Sequence, residues 1–249
     1  TEISYYGPIA NSNITEDAKK KRKKGQPAPG MYTMSFTHIF DRPRDTCYFA
    51  FCHPYTYTDL QRHLRILQSS PSVRPLFRRA PLCKTIAGNV CDVLTITAPC
   101  LRLSDLHQRV LVVITGRVHP GETNASWMMH GILTFILGDS PEAQRLRTIY
   151  VFKIVPMLNP DGVINGNYRT SLSGSDLNRR WCNPDKLMHP TIYHAKEMIR
   201  SCKAHYPQCI VMDLHGHSTR EGIFIYGCMP DRRLLRAPSP RRSASSDID

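Results

Sequence analysis

Apolar positions along this chain fall into short continuous runs and into helix-spaced sets. Leu111-Val112-Val113-Ile114-Thr115 is continuous and rich in β-branched residues, which predicts a buried strand. The run breaks at Gly116 and turns through His119-Pro120-Gly121-Glu122. From Glu122 the residues Trp127, Met128, Gly131, Ile132, Phe135 and Ile136 recur with a period of about 3.6, so a helix starts there. Thr148 to Val155 predicts a second strand, ending in a loop over Pro156–Gly162. Cys209 to Leu214 predicts a third, ending at His215, and Ile223 to Tyr226 a further one. Two more helices are expected, one capped at Thr58-Asp59 and running to about Ser69 with Leu60, Leu64 and Leu67 on one face, the other over Pro190–Ala204. Cys83–Ile86 and Cys91–Thr97 flank Ala87-Gly88-Asn89 and read as a hairpin. Pro71–Pro81 reads as a basic loop, and Gly166–Asn183 as a polar loop too long to be idle in a compact domain. Strands alternating with helices give an α/β fold with a mixed, largely parallel central sheet flanked by helices.

The first 55 residues follow another pattern. One strand is expected within residues 1–18, another over Met31–Phe40, and another over Thr46–Cys52, so this segment reads as the end of a small β-domain. Residues 56–230 then form the α/β domain, and residues 231–249, rich in Arg, Ser and Asp, are expected to be disordered.

Composition adds three constraints. With 249 residues and 41% hydrophobic content the chain can bury a sizeable core. No apolar run reaches the length of a membrane span, and TEISYYGPIA lacks both a secretory pattern and an initiator Met, so the chain reads as a cytosolic piece of a longer product. Nine cysteines without a CxxC pair suggest buried free thiols in a reducing compartment. The net charge of +13 includes the run Lys19–Lys24, a pattern shared by nuclear addresses, polyanion contacts and solvated loops and read here as a loop spanning residues 19–30; the remaining excess favours an acidic partner. Neither a membrane nor nucleic acid is the expected partner.

A His and a carboxylate in the turn after a central strand sit where open α/β sheets place their ligands. Zinc hydrolases use three protein ligands and leave one position for water. His119 and Glu122 supply an imidazole and a carboxylate, and the run Asp213-Leu214-His215-Gly216-His217 ends another strand on a second imidazole, with either His215 or His217 as the ligand. A second HxxE, His194-Ala195-Lys196-Glu197, lies in a polar helix and reads as an exposed pair. Arg169, Asn178 and Arg179 lie in the long loop, where a planar guanidinium suits a substrate carboxylate.

His119-Pro120-Gly121-Glu122, Asn159-Pro160-Asp161-Gly162-Val163, Gly166-Asn167-Tyr168-Arg169, Asp176-Leu177-Asn178-Arg179-Arg180-Trp181 and Asp213–His217 together resemble the cytosolic carboxypeptidases, the zinc metallocarboxypeptidases that trim glutamates from tubulin and other acidic tails. Tyr48–Phe51 and Pro54–Leu60 resemble that subfamily's junction between β-domain and catalytic domain, and the likeness extends over roughly residues 31–230. It implies one Zn2+ on His119, Glu122 and His215, with Asp176 orienting a ligand imidazole. It further implies that Arg169 stabilises the developing oxyanion and that Asn178 and Arg179 hold the terminal carboxylate, leaving His217 as a neighbour. The implied partners are glutamate-rich protein C-termini, tubulin among them. One part of the pattern is missing: the family's general-base glutamate lies on a strand well beyond the third ligand, and after His215 the only glutamate is Glu221. The fold is therefore expected to be C-terminally incomplete. A zinc-bearing but inactive module that grips acidic tails is the alternative function. Zinc-dependent deacylases of N-acyl amino acids and a polyanion-binding scaffold using residues 19–24 are more distant ones.

Overall fold

Five strands build the sheet that the apolar runs predict. They are β3 (Phe77–Lys84), β4 (Val90–Ile96), β5 (Val110–Gly116), β6 (Tyr150–Val155) and β7 (Cys209–Leu214). The spatial order is β3-β4-β6-β5-β7. β4 runs antiparallel to β3 and β6, while β5 runs parallel to both β6 and β7. Only β4 points against the others, so the sheet is mixed and largely parallel, as the alternation of elements predicts. This computed structural model describes residues 3–6, 33–217 and 219–227. The chain divides into two compact units, Thr1–Phe51 and Cys52–Asp249.

Six helices join or flank the strands of the second unit: α1 (Tyr57–Ser69), α2 (Leu103–His107), α3 (Thr123–Ile136), α4 (Pro141–Ile149), α5 (Pro160–Ile164) and α6 (Pro190–Lys203). Strand alternation decides what each helix covers. On one face of β5, Val112 and Ile114 pack with Leu64 of α1 and Met129 and Leu133 of α3. On the other, Leu111 and Val113 meet Met198, Ile199 and Cys202 of α6. Helices therefore flank both faces, which is why the central strand reads as a continuous apolar run rather than an alternating one.

Several boundaries differ from the sequence reading for identifiable reasons. The cap of α1 is Thr56, two residues earlier than expected: the Asp59 amide donates to Thr56 Oγ1 at 3.1 Å and the Thr56 amide to Asp59 Oδ2 at 2.9 Å. Asp59 is thus the third residue of a capping box. The expected basic loop up to Pro81 ends at Leu76, and Pro81 lies inside β3. A proline has no amide to donate, and here it sits on the sheet's edge strand beside a register shift between Pro81 and Cys83, the positions where a strand tolerates it. The strand expected from Thr148 starts at Tyr150, because Ser140 caps α4 and Pro141 opens it. Ile223–Tyr226 is not a strand; Ile223 and Ile225 are 94% and 89% exposed, and no described strand lies alongside to bond their backbone. The described cysteines are free, but only Cys91 is buried, so the expectation of several buried thiols holds at one position.

In the first unit, β1 (Ile3–Tyr6) pairs antiparallel with β2 (Thr33–Phe36). The segment Thr46–Cys52, expected as a strand, is not one: Tyr48 and Phe51 are 92% and 90% exposed, and β2 takes its ladder bonds from β1 instead. The basic run within residues 19–30 and the tail over 231–249 lie outside the described residues.

One packing detail carries a pH dependence. His63 of α1 and His130 of α3 stack with ring centroids 3.6 Å apart, and buried His63 Nδ1 has no hydrogen-bond partner. Burial, and after it the His130 ring, push His63 down from 6.5 to about 4. Above pH 6.5 the ring is neutral in both folded and unfolded chains; from there down to about 4 the unfolded chain takes up a proton that the folded one refuses. Stability therefore falls with pH across that window. Discounted for the ring's partial exposure, the loss is about 1–2 kcal/mol. Urea unfolding at about pH 7 and about pH 5 should register it in the unaltered chain, and His63→Phe should remove that part of the slope. An identical slope in both proteins would refute the assignment.

Candidate metal centre

Two adjacent parallel strands deliver the site. β5 ends at Gly116 directly beside Leu214, the last residue of β7, so the turn after β5 and the residue after β7 share one edge of the sheet. The turn depends on Arg117, whose backbone is left-handed at φ 55 and whose side chain is buried. Its guanidinium donates to Pro120 O at 2.7 Å, to Ser126 Oγ at 2.8 Å and to Tyr55 O at 3.0 Å. These bonds offset a backbone conformation that a non-glycine residue seldom adopts. Burial lowers the guanidinium to about 10, so it stays charged at neutral pH. Two close approaches also shape the site. A Cβ on Gly121 would meet the Tyr168 ring at 2.7 Å, and one on Gly216 would meet Asn124 Oδ1 at 2.5 Å.

His119, Glu122 and His215, the set that the family resemblance implies, lie together. One ligand atom from each lies within 4.8 Å of the others. His119 Nδ1 is 2.7 Å from Glu122 Oε1, and His215 Nδ1 is 3.0 Å from Glu122 Oε2, so the carboxylate lies between the two imidazoles. The Gly216 amide donates to Glu122 Oε2 at 2.8 Å. Glu122 stands at the N-cap position of α3 without capping it, its carboxylate being used here.

Each imidazole has a second carboxylate behind it. His119 Nε2 is 3.1 Å from Asp176 Oδ1, the carboxylate that the family resemblance puts behind a ligand imidazole. His215 Nε2 is 2.7 Å from Asp213 Oδ2, a contact the sequence reading assigned to no residue. The signal was present: Asp213 is two positions before His215, and side chains two apart on a strand project to the same side. His217, the other candidate, is exposed, and its Nδ1 accepts from the amides of Thr219 and Arg220 at 3.2 and 3.0 Å. The second HxxE stays apart, Glu197 bonding to Arg200 at 2.7 Å.

Arg169 holds Asp176 Oδ2 through Nε and Nη2, both at 2.8 Å, and its side chain is 46% exposed. Asn178 follows Asp176 in a short 3-10 turn, Leu177–Arg179. The Asn178 amide donates to Asp176 Oδ1 at 2.9 Å, its side-chain carbonyl accepts from Trp181 Nε1 at 3.1 Å, and its Nδ2 lies 3.5 Å from His215 Nε2. Arg179 is exposed and forms no ion pair among the described residues.

Electrostatics set what this cluster can hold. Burial alone would raise the Glu122 carboxyl, but bonds from His119, His215 and the Gly216 amide outweigh it and hold it well below the usual carboxylate range. Asp176 is lowered in the same way, its own burial being outweighed by His119, the Asn178 amide and Arg169. His215, bonded to Asp213 and to Glu122, is raised to about 10. Three carboxylates around two imidazoles thus carry excess negative charge and retain a proton where a cation would be welcome. Two imidazoles with one carboxylate, each imidazole backed by another carboxylate, is a donor set that fits zinc.

Comparisons with known proteins agree with this chemistry. The sequence profile described as zinc carboxypeptidase matches residues 73–208, more than half of the chain. The chain is 48% identical over 256 residues to cytosolic carboxypeptidase 1 of Mus musculus, across 100% of this chain and 20% of that protein. It is 47% identical over 213 residues to cytosolic carboxypeptidase 4 of Homo sapiens, across 83% of this chain and 19% of the other. The chain therefore spans about a fifth of the length of these relatives. Among solved structures, a metallo-carboxypeptidase from Burkholderia cenocepacia superposes with a TM-score of 0.57 at 30% identity, over 66% of this chain and 42% of that one. One from Pseudomonas aeruginosa, in complex with (2-guanidinoethylmercapto)succinic acid, gives 0.55 at 26% identity, over 66% and 40%. The profile match runs through the β3–β4 hairpin, the turn after β5 and the 3-10 turn behind His119, and the chain accordingly belongs to the zinc carboxypeptidase family.

Proposed function

We propose that this chain is the metal-binding and carboxylate-recognising part of a cytosolic, zinc-dependent metallocarboxypeptidase that removes glutamates, at C-termini or side-chain branches, from acidic protein tails such as those of tubulin. The observation that carries this reading is the convergence of His119, Glu122 and His215 with a carboxylate behind each imidazole. Zinc held there supplies Lewis acidity and an acidified water at neutral pH. The chain's own residues divide the rest of the work. Asp176 holds the ring of His119 and, through its other oxygen, the guanidinium of Arg169. Arg169, half exposed at the edge of the cluster, is assigned to the developing oxyanion. Asn178 and Arg179, which forms no ion pair among the described residues, are assigned to the substrate's terminal carboxylate, for which a guanidinium offers two parallel donors. The net charge of +13 favours an acidic substrate.

A second reading is a zinc-bearing module that binds acidic tails without cutting them. Glu122, Asp176 and Asp213, the carboxylates that the described residues bring to the site, are all bonded to an imidazole, and none is free to take a proton from water. Proton abstraction is assigned to no residue of this chain.

Metal analysis of the purified protein should return about one zinc per chain, removable by 1,10-phenanthroline. A longer product that contains this chain should, when zinc-loaded, release glutamate from a peptide ending in several glutamates, and its stripped form should not. Zinc retention with peptide binding but no release selects the second reading. A chain that takes up no zinc would sink both.

A further inference from the structure

The partner of the third candidate ligand is built into the sheet itself. Asp213 on β7 lies directly opposite Thr115 on β5. Thr115 is buried, and its Oγ1 donates to Asp213 Oδ1 at 2.6 Å. The other carboxylate oxygen is 2.7 Å from His215 Nε2, and the far side of that ring faces Glu122 through Nδ1 at 3.0 Å. A hydroxyl in the core, a carboxylate, an imidazole and the shared glutamate thus form one chain of contacts across two adjacent strands. His119 has a counterpart in Asp176, but that carboxylate sits on the polar loop and is shared with Arg169, whereas Asp213 is fixed by ladder pairing and a core hydroxyl.

We infer that Asp213, anchored by Thr115, is a positioning residue that fixes the ring and tautomer of His215 so that Nδ1 is offered to a cation shared with His119 and Glu122. The role rests on the zinc reading above. A carboxylate that accepts the Nε2 hydrogen leaves the lone pair on Nδ1 and makes it a stronger donor. The Thr115 bond keeps that carboxylate from rotating away. Without Asp213, His215 is the loosest of the three ligands, since its side chain is 31% exposed against 5% for His119.

The test is zinc affinity of the full purified chain, stripped of metal and titrated against a chromogenic chelator, together with thermal melting of the stripped protein. Asp213→Asn keeps the shape but weakens the acceptor, and zinc affinity should fall by about 10–100-fold while the metal-free melting temperature stays near that of the unaltered chain. Thr115→Val, which removes only the anchoring hydroxyl, should lose affinity in the same direction by less. Cobalt substituted for zinc should show an altered absorption spectrum in Asp213→Asn, reporting a displaced ligand. Unchanged zinc affinity and cobalt spectrum in Asp213→Asn would overturn the role while leaving the zinc reading intact. Should Asp213→Asn melt early, an unchanged affinity in Thr115→Val would overturn it instead. Failure of the unaltered chain to bind zinc would overturn the metal reading and this role with it.

Discussion

Glu122→Gln is expected to cost zinc affinity more than about 100-fold, beyond the upper end of what losing an outer carboxylate does. Among the described residues Glu122 is the one that meets both imidazoles, and three hydrogen bonds hold its carboxyl well below the usual carboxylate range despite its burial. Glutamine keeps the volume and one acceptor but removes the charge, so the site would offer two imidazoles and no anionic ligand. The fold should survive, because the Gly216 amide can still donate to the remaining carbonyl oxygen, and the far-ultraviolet circular dichroism of the stripped protein should be unaltered. His217→Ala is the matched control: that ring bonds only to the turn beyond it and should leave affinity unchanged. Equimolar zinc retained by Glu122→Gln after dialysis would show that the metal sits elsewhere.

Asp161→Ala should produce the largest loss of stability outside the apolar core, about 3–4 kcal/mol. Its buried carboxylate, in the first turn of α5, joins that helix to the turn between β3 and β4. Oδ1 accepts from Thr85 Oγ1 at 2.6 Å and from Asn89 Nδ2 at 2.9 Å, and Oδ2 accepts from the Ala87 amide at 3.0 Å. Truncation strands three donors, one of which, Thr85 Oγ1, also accepts from the Asn89 amide within the hairpin loop. Asp161→Asn keeps two acceptor sites on one oxygen and should lose roughly half as much. Urea unfolding at neutral pH measures both. A loss below about 1 kcal/mol in the alanine variant would mean that water replaces the carboxylate at little cost.

How much of this was legible beforehand depends on the residue. The strand at 110–116 and the helix that follows are written in their apolar spacing, and the three clustered candidate ligands sit at the ends of such segments. Asp176 was found only through the family likeness, since no local pattern marks a carboxylate fifty-seven positions from its imidazole. Asp213 and Thr115 were missed because their pairing is set by which strands become neighbours, and β7 joins β5 rather than β6 for reasons of three-dimensional packing. No local pattern marks Arg117 as buried; its burial and left-handed backbone belong to the tight turn between β5 and His119. Thr46–Cys52 has a strand's composition and, among the described residues, no strand's partner, a distinction that composition cannot carry.

The contact between Glu122 and His215 spans ninety-three positions of sequence and joins an internal strand to one at the sheet's edge. Bringing such distant residues together carries a loop-closure cost that local helix formation does not reduce. A cation that recognises only the docked arrangement binds the native chain and not the unfolded one, so its free concentration enters the folding equilibrium by mass action. If the site takes zinc as proposed, metal supply would then set what fraction of the chains has closed its sheet.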